Sequence, residues 1–229
     1  MLTLALDTAA SVSVAITADG QPIAESFCRS SSQHAATLLP LVEDVCHRAG
    51  VNLPEIELFA CTTGPGSFTG LRIGMATVKG FVLATGRPLV GVSTLVALAA
   101  NATPTPMRVC PLLDARHGHV YTAPFRLEAP GLPVMHGKER LAELSSLLAS
   151  ITEDCLFLGD GAVAYGGRIR ALLPARAHLA PAYACHVRAA VVATLAEQKF
   201  QRGDLLDPLT AVPQYLRAAE AERKAAEPA

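Results

Sequence analysis

Hydrophobic and polar positions alternate along the opening segment with the period of two that is typical of strands. Residues 2–6 are a short apolar run that ends at Asp7, and residues 12–16 alternate after a short polar turn. Asp19-Gly20 is a dipeptide that favours a tight hairpin, so residues 21–28 are expected to return as a third strand. The pattern predicts that the chain opens with a three-stranded meander.

Helical spacing follows the meander. Apolar residues recur at positions 38, 41, 42, 45 and 49, and Gly50 comes directly after them as a stop signal. A strand is predicted over residues 56–62, after which Ser67 is a suitable N-cap for a helix that runs to about residue 84, with Gly86 at its end. A strand over residues 89–92 and a helix capped by Ser93 come next. This alternation of strands and helices indicates an α/β fold.

The opening pattern recurs beyond residues 101–106, whose Pro and Thr content makes them the best linker in the chain. An apolar run again ends at an aspartate, Asp114, and a turn with Gly118 again leads to a second strand. An internal duplication and two unrelated hairpins both account for this. We predict two lobes, residues 1–102 and a smaller lobe at 103–229 that includes a charged tail. Helices are expected over 139–150 and 186–200, and a return of the last helix to the first lobe is left open.

Composition narrows the function classes. Hydrophobic residues make up 51% of the chain and charged residues 17%, against about 25% charged in a typical soluble domain. The surplus apolar surface favours a protein–protein interface. The net charge of −1, without a basic run, excludes a protein that grips nucleic acid by itself. Six cysteines without a CxxC pair are typical of the reducing cytosol, and neither a signal peptide nor a membrane span is predicted.

Three glycines form the most unusual pattern in the chain. Gly66, Gly70 and Gly74 are spaced by four, so they share one face of the helix predicted after Ser67. Each glycine inside a helix costs about 1 kcal/mol relative to alanine, and a close contact with a neighbour would offset that cost. A smooth glycine face lets another helix approach closely. We expect an external partner helix there, and the alternative is tight packing against this protein's own sheet.

Other candidate chemistry is weaker. The P-loop pattern GxxxxGK[ST] is absent, because the glycine spacing is one residue too short and Lys79 lies far downstream. Asp7 and Asp114 end strands before tight turns, where carboxylates of two-lobed phosphotransferases hold metal and nucleotide. The turn after Asp7 lacks glycine, so turn capping is the preferred interpretation. The alternative is a vestigial nucleotide site at Asp7, Thr8, Asp114, Gly159 and Asp160. No HExxH or HxxxH spacing occurs, and no metal site is expected.

The glycine segment also carries a resemblance. It is similar to the TsaB (YeaZ) family of tRNA threonylcarbamoyladenosine biosynthesis proteins, as are four further segments. The matching residues are GPGSFTGLRIG at 64–74, LALDT at 4–8, QHA at 33–35 with LLPL at 38–41, DAR at 114–116 with VY at 120–121, and PQYLR at 213–217.

The resemblance implies an actin-like, Hsp70-like (ASKHA) two-lobed fold and a scaffold without catalysis of its own. It implies a TsaD-like catalytic paralogue and a TsaE-like ATPase as partners, a homodimer when the chain is alone, and contact with tRNA only through the complex, which modifies adenosine 37 of tRNAs that read ANN codons. No cofactor is expected to bind the chain strongly, and ATP or ADP within the complex is left open. The paralogue holds metal through a histidine pair on a helix, of which this chain keeps His34 but has Leu38 at the second place.

The resemblance also implies that the first helix and the glycine helix form the partner interface. Its expected residues are His34, Leu38, Leu41, Val42, Val45, Gly66, Gly70, Leu71, Gly74, Met75 and Val78. A Gly74→Leu variant is then expected to lose association and keep its fold. The alternative function is a nucleotide-binding phosphotransferase or ATPase of the same fold, and a metallopeptidase is a third class.

Overall fold

The computed structural model describes residues 1–29, 34–127 and 132–217. The elements of the first half are β1 (Leu2–Asp7), β2 (Val12–Ala18), β3 (Gln21–Cys28), α1 (His34–Ala49), a 3-10 turn (Leu53–Glu55), β4 (Leu58–Gly64), α2 (Phe68–Thr85), β5 (Leu89–Ser93) and α3 (Thr94–Ala99). Those of the second half are β6 (Thr105–Asp114), β7 (His119–Thr122), β8 (Phe125–Leu127), β9 (Val134–Met135), β10 (Arg140–Glu143), α4 (Leu144–Ala149), β11 (Cys155–Leu158), α5 (Asp160–Ala164), α6 (Gly166–Leu172), β12 (Ala177–Leu179), a 3-10 turn (Ala182–Ala184) and α7 (Ala189–Gln201). The predicted α/β class is confirmed.

The first sheet has the strand order β3-β2-β1-β4-β5. Strands β1, β2 and β3 form the predicted antiparallel meander, and β4 and β5 continue the sheet in parallel. Asp19 and Gly20 join β2 to β3 with φ angles of 47° and 74°, which are the positive values that a tight two-residue hairpin needs.

The second sheet repeats this arrangement. Its main strand order is β10-β7-β6-β11-β12, with β8 paired to β6 and β9 paired to β8. Strand β6, which ends at Asp114, lies between an antiparallel partner, β7, and a parallel partner, β11. Strand β1, which ends at Asp7, lies in the same way between β2 and β4. The chain passes from the first sheet to the second between α3 and β6, the stretch where residues 102 and 103 lie.

The helix predicted over residues 139–150 is wrong in its first part. Arg140–Glu143 instead form β10, which pairs with β7 along the edge of the second sheet. Helix α4 starts only afterwards, because the Glu143 carboxylate accepts hydrogen bonds from the backbone amides of Ser145 and Ser146 and thereby caps it. Helix α7 begins three residues later than predicted, and the charged tail lies outside the described residues beyond position 217.

Two helical layers cover the first sheet. Helices α1 and α2 pack on one face, through Leu38, Val45 and Val78 against strand residues such as Leu4 and Phe59. Helices α3 and α7 pack on the other face in a core that also includes residues of the second sheet. Helix α7 therefore returns to the first lobe. Among the described helices, none is long and apolar enough to cross a membrane.

Candidate docking surface and interlobe site

Helix α2 is defined by strong local signals at both ends. The Ser67 hydroxyl accepts a hydrogen bond from the Gly70 amide at 3.2 Å, which makes Ser67 the N-cap as predicted. Gly86 ends the helix in the left-handed conformation with φ of 69°. The ends of the helix were therefore readable from the sequence, whereas the partner of each of its faces was not.

The glycine face of α2 packs inside the protein. A Cβ atom added at Gly70 would lie 2.0 Å from the backbone oxygen of Thr8, and one added at Gly74 would lie 2.3 Å from the Thr8 hydroxyl oxygen. Gly66 precedes α2, so it is not part of the helix face, contrary to the expectation, and a Cβ there would lie 2.7 Å from the Ala9 side chain. The expectation that this face is open to an external helix is wrong, because the turn between β1 and β2 occupies it. The glycines let α2 cross that turn at a distance that any side chain would prevent.

The apolar residues predicted as interface residues lie in the core beneath α1 and α2. The buried members of that set are Leu38, Val42, Val45, Leu71, Met75 and Val78. Leu41 is half-buried, and the His34 side chain lies outside the described part of the chain. The core residues attach the two helices to the first sheet, and of them Val42 also lines a surface groove. Burial therefore argues against a contact surface made of these core residues, while the assignment of His34 and Leu41 to the interface stays a prediction.

A different set of residues faces solvent on the same two helices. Leu39 on α1 is 54% exposed and Leu83 on α2 is 64% exposed. Ala76 and Gly80 are exposed on the same face of α2 as Leu83, and nothing lies within 4 Å of a Cβ added at Gly80. We call these four residues the outer face. The sequence does carry a signal for it, since Leu83 lies off the buried stripe of α2, among polar and small residues.

A groove adjoins the outer face. It has a volume of about 850 Å³ and lies between α1, the segment that follows α1, and α2. Its apolar lining includes Leu39, Pro40, Val51 and Phe81. Leu39 belongs to both the groove and the outer face, and exposed apolar surface of this kind is found at protein–protein interfaces.

Asp7 is the most perturbed acid of the site between the two lobes. Its side chain is fully buried, and its Oδ1 accepts hydrogen bonds from the Thr62 hydroxyl at 2.7 Å and the Ala9 amide at 3.2 Å. Its Oδ2 has no hydrogen-bond partner among the described residues. Burial raises the pKa of Asp7 to about 7, and the negative charge of Asp160 adds to the rise.

The second lobe brings three of the predicted nucleotide-site residues together. The Asp160 carboxylate accepts a hydrogen bond from the Asp114 amide at 3.0 Å, and Gly159, with φ of 108°, passes too close to Leu112 for any side chain. Asp114 in turn accepts hydrogen bonds from the Arg116 amide at 2.9 Å and the Tyr165 hydroxyl at 2.8 Å. Burial raises the pKa of Asp160 as well.

The turn after Asp7 has little left with which to bind a phosphate. Thr8 and Ala9 are both buried, the Ala9 amide donates to Asp7, and the Ala9 carbonyl accepts from the Ser67 amide at 2.6 Å. No group of three or more His, Cys, Asp and Glu side chains suited to a metal ion occurs in the described ranges. The Ala9 backbone groups are thus occupied by contacts within the chain, whereas Asp7 Oδ2 and the buried Ser11 hydroxyl have no hydrogen-bond partner among the described residues.

Comparison with known proteins gives consistent matches. The family model "TsaD: tRNA N6-adenosine threonylcarbamoyltransferase" matches residues 28–225. The tRNA threonylcarbamoyladenosine biosynthesis protein TsaB of Escherichia coli K12 is 39% identical over 147 residues, which span 63% of this chain and 62% of that protein. The TsaB protein of Bacillus subtilis 168 is 29% identical over 227 residues, 98% of this chain and 97% of the relative. The aligned region thus covers less than two thirds of the first relative and nearly all of the second.

Solved structures are similar to this chain as well. YeaZ from Pseudomonas aeruginosa superimposes with a TM-score of 0.79 at 30% identity, over 94% of this chain and 99% of that one. The activator of the 2-hydroxyisocaproyl-CoA dehydratase from Clostridium difficile, solved with bound ADPNP, matches with a TM-score of 0.52 at 11% identity, over 90% of this chain and 99% of that one. The second likeness concerns the fold alone. The predicted actin-like α/β fold class is confirmed.

Proposed function

The chain belongs to the TsaB (YeaZ) family, and from that premise we propose that it serves tRNA threonylcarbamoyladenosine biosynthesis as a non-catalytic docking subunit. The partner is a TsaD-like catalytic paralogue, with a TsaE-like ATPase as a further component. Contact with tRNA is made through the complex, in the cytoplasm. The single observation that carries the proposal is the apolar outer face of α1 and α2.

The outer face has the properties of a helix-docking surface. Leu39 and Leu83 supply large apolar side chains, and the small exposed residues Ala76 and Gly80 on the Leu83 face of α2 let a partner helix approach closely. The core side of both helices is fixed by buried contacts with the first sheet. The surface is therefore preorganised, which reduces the entropic cost of association. The same patch can meet its own copy across a two-fold axis, which gives a homodimer when the paralogue is absent.

The interlobe site supports the non-catalytic part of the proposal. A phosphotransferase of this fold needs ionised carboxylates and a free turn backbone at the phosphates. Here Asp7 is buried with a raised pKa, and the Ala9 amide and carbonyl are bonded within the chain. Leu38, at the place of the paralogue's second metal histidine, lies in the core. We propose that the chain binds no cofactor strongly alone and that any ATP or ADP binds within the complex.

The test changes the outer face without touching the core. Leu83→Glu and Leu39→Glu each place a charge on the outer face, and a hot-spot residue of an interface contributes about 2 kcal/mol or more. We expect each variant to weaken association with the TsaD-like paralogue at least about 30-fold in a titration. Leu172→Glu is the matched control, because Leu172 is 52% exposed on α6 of the other lobe. Unchanged affinity in both outer-face variants, with unchanged folding, would refute the interface.

One observation favours the alternative function. The Oδ2 atom of Asp7, which has no hydrogen-bond partner among the described residues, and the nearby charge of Asp160 are features that a nucleotide-bound Mg²⁺ would neutralise. Calorimetry of the isolated chain with ATP and Mg²⁺ separates the two functions. Binding that Asp7→Asn abolishes would indicate a nucleotide-dependent phosphotransferase or ATPase, whereas the docking subunit gives no heat of binding.

A further inference from the structure

The chain after α7 returns across the first lobe as an irregular segment, residues 204–217, with a turn at 208–210; we call this segment the strap. Its first anchor is an edge contact, in which the Leu206 amide donates to the Leu89 carbonyl of β5 at 2.8 Å. Its second anchor is Lys79 of α2, whose ammonium group donates to the carbonyls of Leu209 and Ala211 at 3.4 and 3.2 Å. The strap therefore runs along α2, in the opposite direction to the helix.

The strap then attaches to the first turn of α2. The Tyr215 ring lies 4.7 Å from the Phe68 ring, measured between centroids. The Arg72 guanidinium lies 3.8 Å above the Phe68 ring and donates from Nε to the Tyr215 hydroxyl at 3.0 Å. One residue earlier, the Gln214 amide donates to the Thr63 carbonyl at 2.7 Å. Stacking, cation–π and backbone contacts thus act within two residues.

Two residues later the strap reaches the second lobe. The Arg217 guanidinium donates to the Ala115 carbonyl at 2.9 Å. Ala115 opens a turn in which Arg116, His117 and Gly118 have successive φ angles of 65°, 53° and 75°. Arg116 and His117 adopt this left-handed conformation without the freedom of glycine, so the surrounding contacts must hold them there. The turn closes through hydrogen bonds between Ala115 and His119 and between His119 and Arg116, both at 3.0 Å.

We infer that the strap couples the first turn of α2 to the Ala115–His119 turn of the second lobe. Tyr215 and Arg217 are separated by one residue, so neither can leave its contact without pulling on the other. The turn is unfavourable in isolation, which makes it sensitive to the loss of one stabilising contact. The coupling is a property of the chain alone and stands whether or not α2 docks a partner. A ligand or partner that displaces Tyr215 from α2 would also loosen the Arg217 contact with the Ala115–His119 turn, and the reverse also holds.

Hydrogen exchange on the full-length chain tests this inference. Tyr215→Ala removes the ring and the hydroxyl that hold the strap to α2. We expect exchange of the Gln214 amide to become about tenfold faster, and exchange of the Ala115 and His119 amides at least about threefold faster. Val212→Ala is the matched control, because Val212 lies in the same strap with its side chain 72% exposed. It should leave all of these rates unchanged, and α7 amides should keep their rates in both variants.

The reverse perturbation completes the test. Arg217→Ala removes the contact at the other end, and we expect faster exchange at Gln214 as well as in the turn. The inference is overturned if Tyr215→Ala changes the rates near α2 while Ala115 and His119 stay within about twofold of the unmodified chain. It is equally overturned if Arg217→Ala affects the turn and leaves Gln214 unchanged.

Discussion

A pair of alanine substitutions in α2 tests the packing of its glycine face. Gly74 and Gly80 both lie inside this helix, so replacing either by alanine brings the same gain in helix propensity, about 1 kcal/mol. Their surroundings differ. A Cβ at Gly80 meets nothing within 4 Å, whereas a Cβ at Gly74 would lie 2.3 Å from the Thr8 hydroxyl oxygen. Gly80→Ala therefore measures the gain in helix propensity alone, whereas Gly74→Ala combines this gain with the steric overlap between the new Cβ and Thr8.

The size of the clash can be bounded from the contact. Thr8 is buried, and its Cγ2 and Cβ atoms also lie 3.3 and 3.4 Å from the added Cβ, so rotation of the side chain exchanges one close contact for another. Inserting a methylene into a packed core costs about 1–3 kcal/mol. Because the propensity gain cancels, we expect the free energies of unfolding of the two variants to differ by about 1–3 kcal/mol, with Gly80→Ala the more stable. In a protein of this size that corresponds to a melting-temperature difference of at least about 2 °C.

Urea denaturation followed by circular dichroism measures both free energies. A double variant gives the internal check, since Thr8→Ala removes the hydroxyl and Cγ2 and leaves only an ordinary contact at 3.4 Å. In the Thr8→Ala background, the cost of Gly74→Ala should fall by at least about 1 kcal/mol. Equal stabilisation by Gly74→Ala and Gly80→Ala would refute the reasoning and would restore an external helix as the contact of the glycine face.

The same contact changes what is expected of Gly74→Leu. A leucine places three further carbon atoms where Thr8 already lies, so the variant is expected to lose stability before it loses any partner. A loss of association by Gly74→Leu therefore reports damage to the fold. The outer-face variants at Leu39 and Leu83 avoid this ambiguity, because both side chains are exposed.

Three further predictions concern single side chains. The pKa of Asp7 is about 7 in the folded chain and 3.8 without the fold, so stability should fall as pH rises from about 4 to 7, by up to about 4 kcal/mol. Urea titrations across about pH 4–7 should show that Asp7→Asn abolishes this slope. Hydrogen bonds from Ser146 and Ser145 hold the pKa of Glu143 at about 2. The contribution of this carboxylate to folding stability is therefore present above about pH 4.5 and is lost as pH falls towards 2. Thermal melts of Glu143→Gln should lack this loss of stability at acid pH. Ser67→Ala removes the cap of α2 and should cost about 1 kcal/mol of unfolding free energy, with a loss below 0.3 kcal/mol contradicting the cap.

Local signals in the sequence were sufficient for the ends of elements. Asp19-Gly20, Ser67 and Gly86 act through their own backbone and nearest neighbours, and the structure places each as predicted. The packing partner of a helix face, in contrast, depends on residues that are distant in the sequence. The spacing of the glycines shows that one face of α2 is smooth, but only the parallel pairing of β1 with β4 brings Thr8 beneath it. The strand β10 was missed for the same reason, since its pairing with β7 depends on residues about 20 positions away.

The two faces of α2 have linked consequences for function. Its inner glycines allow the Ser67 amide to reach the Ala9 carbonyl, and this contact closes the turn that a phosphotransferase would keep open for phosphate. The same contact fixes the start of α2, so the outer face is held in place without a ligand. A nucleotide-dependent enzyme needs an open turn after Asp7, whereas a docking subunit benefits both from the closed turn and from the fixed start of α2. The glycine spacing therefore favours the docking function through internal packing, and the residues that would meet the partner are Ala76, Gly80 and Leu83 on the opposite side of the helix.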